Sequence, residues 1–231
     1  MKNALILCSG GLDSVTTAYY VKNRLRYKNI KIIFFDYGQR NLIGEEKYSR
    51  QCASDIKSYF IKLQLDNLKD ISTSLLNSNE KAKILKRGDL KNTKKESDKW
   101  YVPFRNALFL INVLALAESL YLKEKNKYDL FVGFKCEGKE SYPDTTKKFV
   151  KAINKISKIG NKNRFKILAP FIDKDKEDIV ILAKSLGIDL RKTFSCYIGP
   201  EKHCGTCLSC LLRKEGFYWA NIADPTEYRY N

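Results

Sequence analysis

The sequence predicts an α/β fold: a parallel sheet with helices on both faces, followed by a small cysteine-rich tail. Three observations carry it. Short apolar, β-branched runs alternate about five times with helix-length segments. The first of these runs stops at Ser9-Gly10-Gly11, and a helical pattern begins at once. Four of the seven cysteines crowd into residues 196–210. The 231 residues, 44% of them hydrophobic, are enough for one large domain with a real core, or for one domain with a small appendage.

The elements follow in order. Residues 4–8 are a short apolar run and read as a buried strand, with residues 13–24 as the helix behind it. Residues 31–35 are β-branched and aromatic, a second strand, and 45–57 are helical. Residues 59–63 alternate like a strand, and 68–76 read as a short helix. Residues 77–99 are dense in Lys, Ser, Asn and Asp and read as a mobile insertion. Residues 106–123 are apolar nearly all round, hence a central helix. A strand at 129–134, a helix at 145–156 and a strand at 164–168 closed by Pro170 come next. The helix at 175–186 stops at Gly187, and the tail from Phe194 holds the cysteines and a last short helix. This divides the chain into a nucleotide-binding α/β domain at 1–190 and a four-cysteine region at 191–231.

The formal charge is +17, from 43 Lys plus Arg against 26 Asp plus Glu. Only ten of those cations are Arg, so the excess is a dispersed lysine surface that permits polyanionic partners without marking a nucleic-acid stripe. No uninterrupted apolar run approaches the roughly 18 residues of a membrane span. The N-terminal MKNALILCSGG is too short and too glycine-rich for a signal peptide, so a cytoplasmic protein is expected.

Ser9-Gly10-Gly11-Leu12-Asp13-Ser14 lies where a first strand turns into a helix. Glycines let the backbone approach an anion closely, the N–H groups of the turn point at it, and the helix dipole favours negative charge. Ser9 and Ser14 add hydroxyl donors, and Asp13 can hold Mg²⁺ against phosphate oxygens. The string is neither a Walker A loop nor a dinucleotide fingerprint. It resembles the PP-loop of the ATP pyrophosphatase superfamily, which has the adenine nucleotide alpha hydrolase-like fold, so ATP is the implied nucleotide.

Cys196, Cys204, Cys207 and Cys210 have the spacing C-x7-C-x2-C-x2-C. Four thiolates close a tetrahedron with no open position, which is the ligand set of a structural Zn²⁺. His203, the one histidine, adjoins Cys204, but the cysteines already fill the shell.

Further strings make the resemblance specific. Phe35-Asp36-Tyr37-Gly38-Gln39-Arg40, Val102-Pro103-Phe104-Arg105-Asn106, Tyr142-Pro143-Asp144, Lys176 and Phe194-Ser195-Cys196-Tyr197 occur in order along nearly the whole chain. Together with SGGLDS they resemble the 7-cyano-7-deazaguanine synthase family of PP-loop ATP pyrophosphatases. The resemblance implies an ATP-dependent ligase that takes 7-carboxy-7-deazaguanine and ammonia to the nitrile through two adenylations, in queuosine-type biosynthesis, and it suggests a homodimer. Asp13, Arg105 and Lys176 are then the catalytic candidates. Ser9 to Ser14 and Asp36 would bind the nucleotide. Tyr37, Gln39, Asn106, Tyr142 and Asp144 would face the deazapurine.

The chain departs from the family in three places. Asn41 stands where the family has His, and Gly44 where it has Glu, with Glu45 next; the segment from Gly133 to Ser141 has drifted. The phosphate-handling strings are thus better matched than the acceptor side. A relative that stops at the amide, one that joins the deazaguanine to a protein or nucleic-acid amine, and a tRNA-modifying PP-loop enzyme remain alternatives.

Overall fold

The computed structural model describes residues 2–91, 93–135, 142–161 and 163–230. Five strands form one wholly parallel sheet in the order β3-β2-β1-β4-β5. They are β1 (Asn3–Leu7), β2 (Asn29–Asp36), β3 (Tyr59–Gln64), β4 (Tyr128–Phe131) and β5 (Ile167–Leu168). The helices are α1 (Leu12–Asn23), α2 (Leu42–Asp55), α3 (Asn67–Ile71), α4 (Lys94–Trp100), α5 (Arg105–Glu124), α6 (Lys147–Gly160), α7 (Lys176–Ser185) and α8 (Leu208–Trp219).

Alternation along the strands builds two cores. Ala4, Ile6, Ile30, Ile32 and Phe131 face α1, α2 and α7, while Leu5, Ile33, Phe35, Leu130 and Val132 face α5 and α6. The last helix joins both: Phe217 enters the first core, Leu208 and Leu211 the second. The cysteine tail is thereby packed onto the sheet domain, and α8 runs against α7. By length and composition α5 is apolar enough to cross a membrane; Leu110, Val113, Leu114 and Ala117 on one face are buried in the second core beside β4, while Leu108, Ile111 and Leu122 are exposed, so the helix is not buried all round as its composition suggests.

The parallel sheet with helices on both faces is as expected, with differences at the edges. The helix expected at 68–76 ends at Ile71, and Leu76 is buried beyond it. The segment read as an insertion, 77–99, contains a 3₁₀ turn at Arg87–Lys91 and most of α4. Leu85 and Trp100 anchor it in the second core, which its polar composition concealed. The strand expected at 129–134 is shorter, and that at 164–168 is cut to two residues; Arg164, at a left-handed φ of 51°, lies outside it. The drifted segment at 133–141 lies largely outside the described residues, apart from residues 133–135.

Candidate functional site

The carboxyl ends of β1 and β4 meet where the strand order reverses, the usual place for a ligand in an open α/β sheet. A cavity of about 280 Å³ opens there, lined by Ser9, Gly11, Leu12, Asp13 and Ser14 on one side and by Tyr37, Arg105, Asn106, Tyr142, Asp144 and Lys176 around it. Eleven of the residues singled out from sequence are therefore gathered in one place.

The phosphate loop is held from beneath. Gly10 has φ +77°, and a Cβ there would come within 2.8 Å of Glu45 O and Ser49 N of α2. Ser49 Oγ donates to Cys8 O at 2.8 Å, and Phe194 N to Gly10 O at 2.8 Å. Gly11 caps α1 in an extended conformation and Ser14 Oγ donates back to Gly11 O at 3.1 Å, so the first N–H groups of α1 face the cavity mouth. Gly10 itself supports the turn and does not line the cavity.

Lys176 at the head of α7 reaches across to Asp13, Nζ lying 2.7 Å from both Oδ1 and Oδ2. Its aliphatic stem crosses Gly216 of α8: a Cβ on Gly216 would lie 2.2 Å from Lys176 Cγ. Gly216 thus sets the path of this lysine, a role no local pattern in the sequence reveals. Each Asp13 oxygen accepts one bond from Lys176 and retains lone-pair capacity for a cation.

Arg105 opens α5 after Phe104, a non-glycine residue at φ +54° that turns the chain sharply into the helix. The guanidinium donates to Tyr37 Oη at 3.3 Å and lies over the Tyr37 and Phe109 rings at 5.6 and 5.9 Å. Burial opposes its charge, yet neighbouring Tyr37 and Asp144 more than offset this and hold it firmly protonated. Burial also pushes the Tyr37 hydroxyl up to about 12, against the pull of Arg105. The Asp144 carboxyl is likewise raised by burial, with Arg105 opposing. Asn106 Nδ2 donates to Asp144 O at 3.4 Å, so the two family strings at 102–106 and 142–144 are joined. Tyr142 stacks on Tyr101 at 6.0 Å and donates to Ser97 O of α4 at 3.2 Å.

Besides Gly10, two expected residues are not brought to the cavity lining. Asp36 turns to Lys62 at 2.9 Å. Gln39 is 3% exposed: its Oε1 accepts from Tyr37 N at 2.9 Å, and its Nε2 donates to Phe35 O at 2.9 Å and Glu45 Oε2 at 3.0 Å. Gln39 shapes the turn that presents Tyr37 and holds Glu45. Glu45, not among the expected site residues, does line the cavity. Asn41 Nδ2 donates to its Oε1 at 3.1 Å, and to Cys196 O at 2.7 Å. Burial pushes the Glu45 carboxyl up to about 7, against hydrogen bonds from Gln39 and Asn41 and the charge of Arg105. Position 44 has no room for a side chain: a Cβ on Gly44 would sit 2.6 Å from Phe194 Cε1 and 2.7 Å from Pro200 O.

Behind Phe194 the four cysteine sulfurs lie within 4.8 Å of one another, all buried. Backbone N–H groups of Gly199, Cys204 and Ile198 donate to Cys196 Sγ at 3.0, 3.3 and 3.4 Å, and those of Cys207 and Thr206 to Cys204 Sγ at 3.2 and 3.4 Å. Donors aimed at sulfur suit thiolates, and four converging thiolates can hold a metal ion. Gly205, at φ +86°, makes the knuckle; a Cβ there would meet Tyr230 O at 2.0 Å. His203 stands outside the set and accepts Ser195 N at 3.0 Å through Nε2. Arg213, 1% exposed, joins the tail to the sheet domain by donating to Leu190 O, Thr193 and Ser195 on one side and Thr226 on the other.

A 4-thiouridine synthetase in an RNA complex with bound ATP matches 94% of this chain and 53% of its own, at TM-score 0.52 and 14% identity, a likeness of PP-loop fold alone. Two proteins named 7-cyano-7-deazaguanine synthase are similar along their length. That of Methanosphaera stadtmanae is 34% identical, covering 97% of each chain. That of Thermoplasma volcanium is 37% identical, covering 98% of this chain and 91% of its own. The family model described as queuosine biosynthesis protein QueC matches residues 3–221, which takes in the phosphate loop, the cavity and the four cysteines together, and the chain belongs to that family.

Proposed function

We propose that this protein is an ATP-dependent ligase converting 7-carboxy-7-deazaguanine and ammonia to 7-cyano-7-deazaguanine, with release of AMP and pyrophosphate. The observation that carries the reading is the cavity itself, where a phosphate loop, an ion-paired Asp13–Lys176 and a buried Arg105 converge beside aromatic rings. A carboxylate is a poor electrophile, and adenylation turns one of its oxygens into a leaving group. In-line attack on the α-phosphorus needs alignment and charge neutralisation more than a base.

The chain's residues suit those tasks. The N–H groups of Gly11 to Ser14, with the Ser9 and Ser14 hydroxyls, would hold the triphosphate. Lys176 and Arg105 would oppose the charge that develops on the phosphoryl oxygens. Asp13 would hold Mg²⁺, whose chemistry when bound is to neutralise the pyrophosphate leaving group. Tyr37, Tyr142, Asn106 and Asp144 would receive the flat deazapurine, by stacking and by hydrogen bonds to its edge. The four thiolates would hold a structural Zn²⁺ that orders the tail carrying Phe194 and Ser195 to the cavity. The same reading includes a cytoplasmic homodimer.

Pyrophosphate release separates this from the alternatives. Release is expected with ATP, Mg²⁺, 7-carboxy-7-deazaguanine and ammonium. Release that requires tRNA or a protein amine instead would point to a macromolecular acceptor.

A further inference from the structure

Glu45 and Asn41 form an acceptor cluster that the roles above leave unused. Glu45 lines the cavity, and its two oxygens each take one hydrogen bond, from Asn41 Nδ2 and Gln39 Nε2. Asn41 is 1% exposed, and its orientation is set because Nδ2 serves both Cys196 O and Glu45. Its Oδ1 is thereby left buried with no donor among the described residues. A buried carbonyl oxygen without a donor is destabilising, so it marks a place where a donor is missing. Beside it stands a carboxylate with lone pairs still free. The open positions of the cluster are acceptors only, and they suit a small cation with several N–H groups.

We propose that Glu45 and the Asn41 side-chain oxygen form the ammonium site of this enzyme, Glu45 both binding NH₄⁺ and taking a proton from it. The inference rests on the ligase reading above. Ammonium is almost wholly protonated at neutral pH and has no lone pair for attack. The Glu45 carboxylate accepts one proton, leaving NH₃. The NH₃ nitrogen forms the C–N bond to the acyl carbon of the adenylate, the C–O bond to AMP breaks, and the second proton leaves with the phosphate or to water. The products are the amide, AMP and a protonated Glu45 that returns its proton to solvent. Burial holds the Glu45 carboxyl near neutrality, against the hydrogen bonds from Gln39 and Asn41 and the charge of Arg105, and a carboxyl there accepts and releases that proton readily.

The test is a comparison of Glu45→Gln with wild type at neutral pH, titrating ammonium and 7-carboxy-7-deazaguanine separately and repeating the reaction with hydroxylamine, which is unprotonated at that pH. The expected result is a KM for ammonium raised about tenfold to a hundredfold, the loss of one charge-assisted contact. The KM for the deazapurine should change far less, and hydroxylamine transfer should be spared relative to ammonium. Glu45→Asp, which keeps the charge, should retain more ammonium affinity than Glu45→Gln. An equal rise in both KM values would mean that Glu45 reads the donor edge of the ring and would overturn the ammonium site. So would an equal loss with ammonium and hydroxylamine. Absence of AMP formation in the wild type would instead remove the ligase reading and the inference with it.

Discussion

The ammonium group of Lys176 lies 2.7 Å from both carboxylate oxygens of Asp13, although 163 residues separate them in sequence. The pair joins the first turn of α1 to the first turn of α7 across the mouth of the cavity. In the absence of nucleotide each is the other's counter-ion. Binding of ATP with a divalent cation would give each a new partner, the metal for Asp13 and phosphate oxygens for Lys176.

Asp13→Ala is expected to lower pyrophosphate release by about two to three orders of magnitude while the fold persists, because the change removes the proposed cation ligand from the part-exposed first turn of α1. Steady-state kinetics with a thermal melt checks both halves. Wild-type turnover in this variant would remove Asp13 from the machinery.

Gly216→Ala tests the route of Lys176 from a position outside the cavity lining. The added methyl would lie 2.2 Å from Lys176 Cγ, so the stem must move and Nζ with it. The expected outcome is a fall in kcat of about tenfold to a hundredfold, the scale of a roughly 1 Å misplacement of a catalytic group. Unchanged kcat would show that Lys176 reaches its position by another route.

Cys207→Ser should reduce bound zinc from about one per chain towards none and loosen the tail, since a structural site contributes folding energy directly. Metal analysis of the purified variant decides it. Full retention of zinc would mean that the ligand set is wrong.

Arg213→Ala should destabilise the protein by about 3 kcal/mol or more, because it strips the buried Thr193 hydroxyl and the part-buried Ser195 hydroxyl of their donor. Denaturant unfolding measures this. A loss under about 1 kcal/mol would mean that water replaces the guanidinium.

Glu45 gives stability a pH dependence of known sign. Its carboxyl rises from 4.5 to about 7 on folding, so the native state keeps a proton that the unfolded chain releases between those values. The corresponding stability is fully present below the lower value and is lost as pH rises through the upper one. Wild type should therefore lose Tm relative to Glu45→Gln between about pH 5 and about pH 8. A constant difference across that range would contradict the placement.

The parts legible in the sequence are those with a short-range signature. Alternating strands and helices, the glycine turn after β1 and the spaced cysteines each encode their structure within a few residues. The parts that escaped depend on distant neighbours. Gly44 looks like a lost glutamate until Phe194 is seen filling the space, and Gly216 looks like an ordinary helical glycine until Lys176 crosses it. Arg213 reads as one more basic residue on a +17 chain, and only the fold shows it buried. Asp36, at the end of β2, was expected at the ligand edge, but Lys62 on neighbouring β3 takes its carboxylate. Residues 94–100 carry a helix that polar composition masks, because Trp100 alone anchors it in the core and Ser97 is its one other buried residue.

The most direct measurement is the mass of the product formed from 7-carboxy-7-deazaguanine, ammonium, ATP and Mg²⁺ by the zinc-loaded protein. The expected product is the nitrile, with AMP and pyrophosphate released. An amide as the end product would show that the second adenylation is absent. No AMP from these substrates, with zinc bound and the fold intact, would contradict the deazaguanine ligase reading outright.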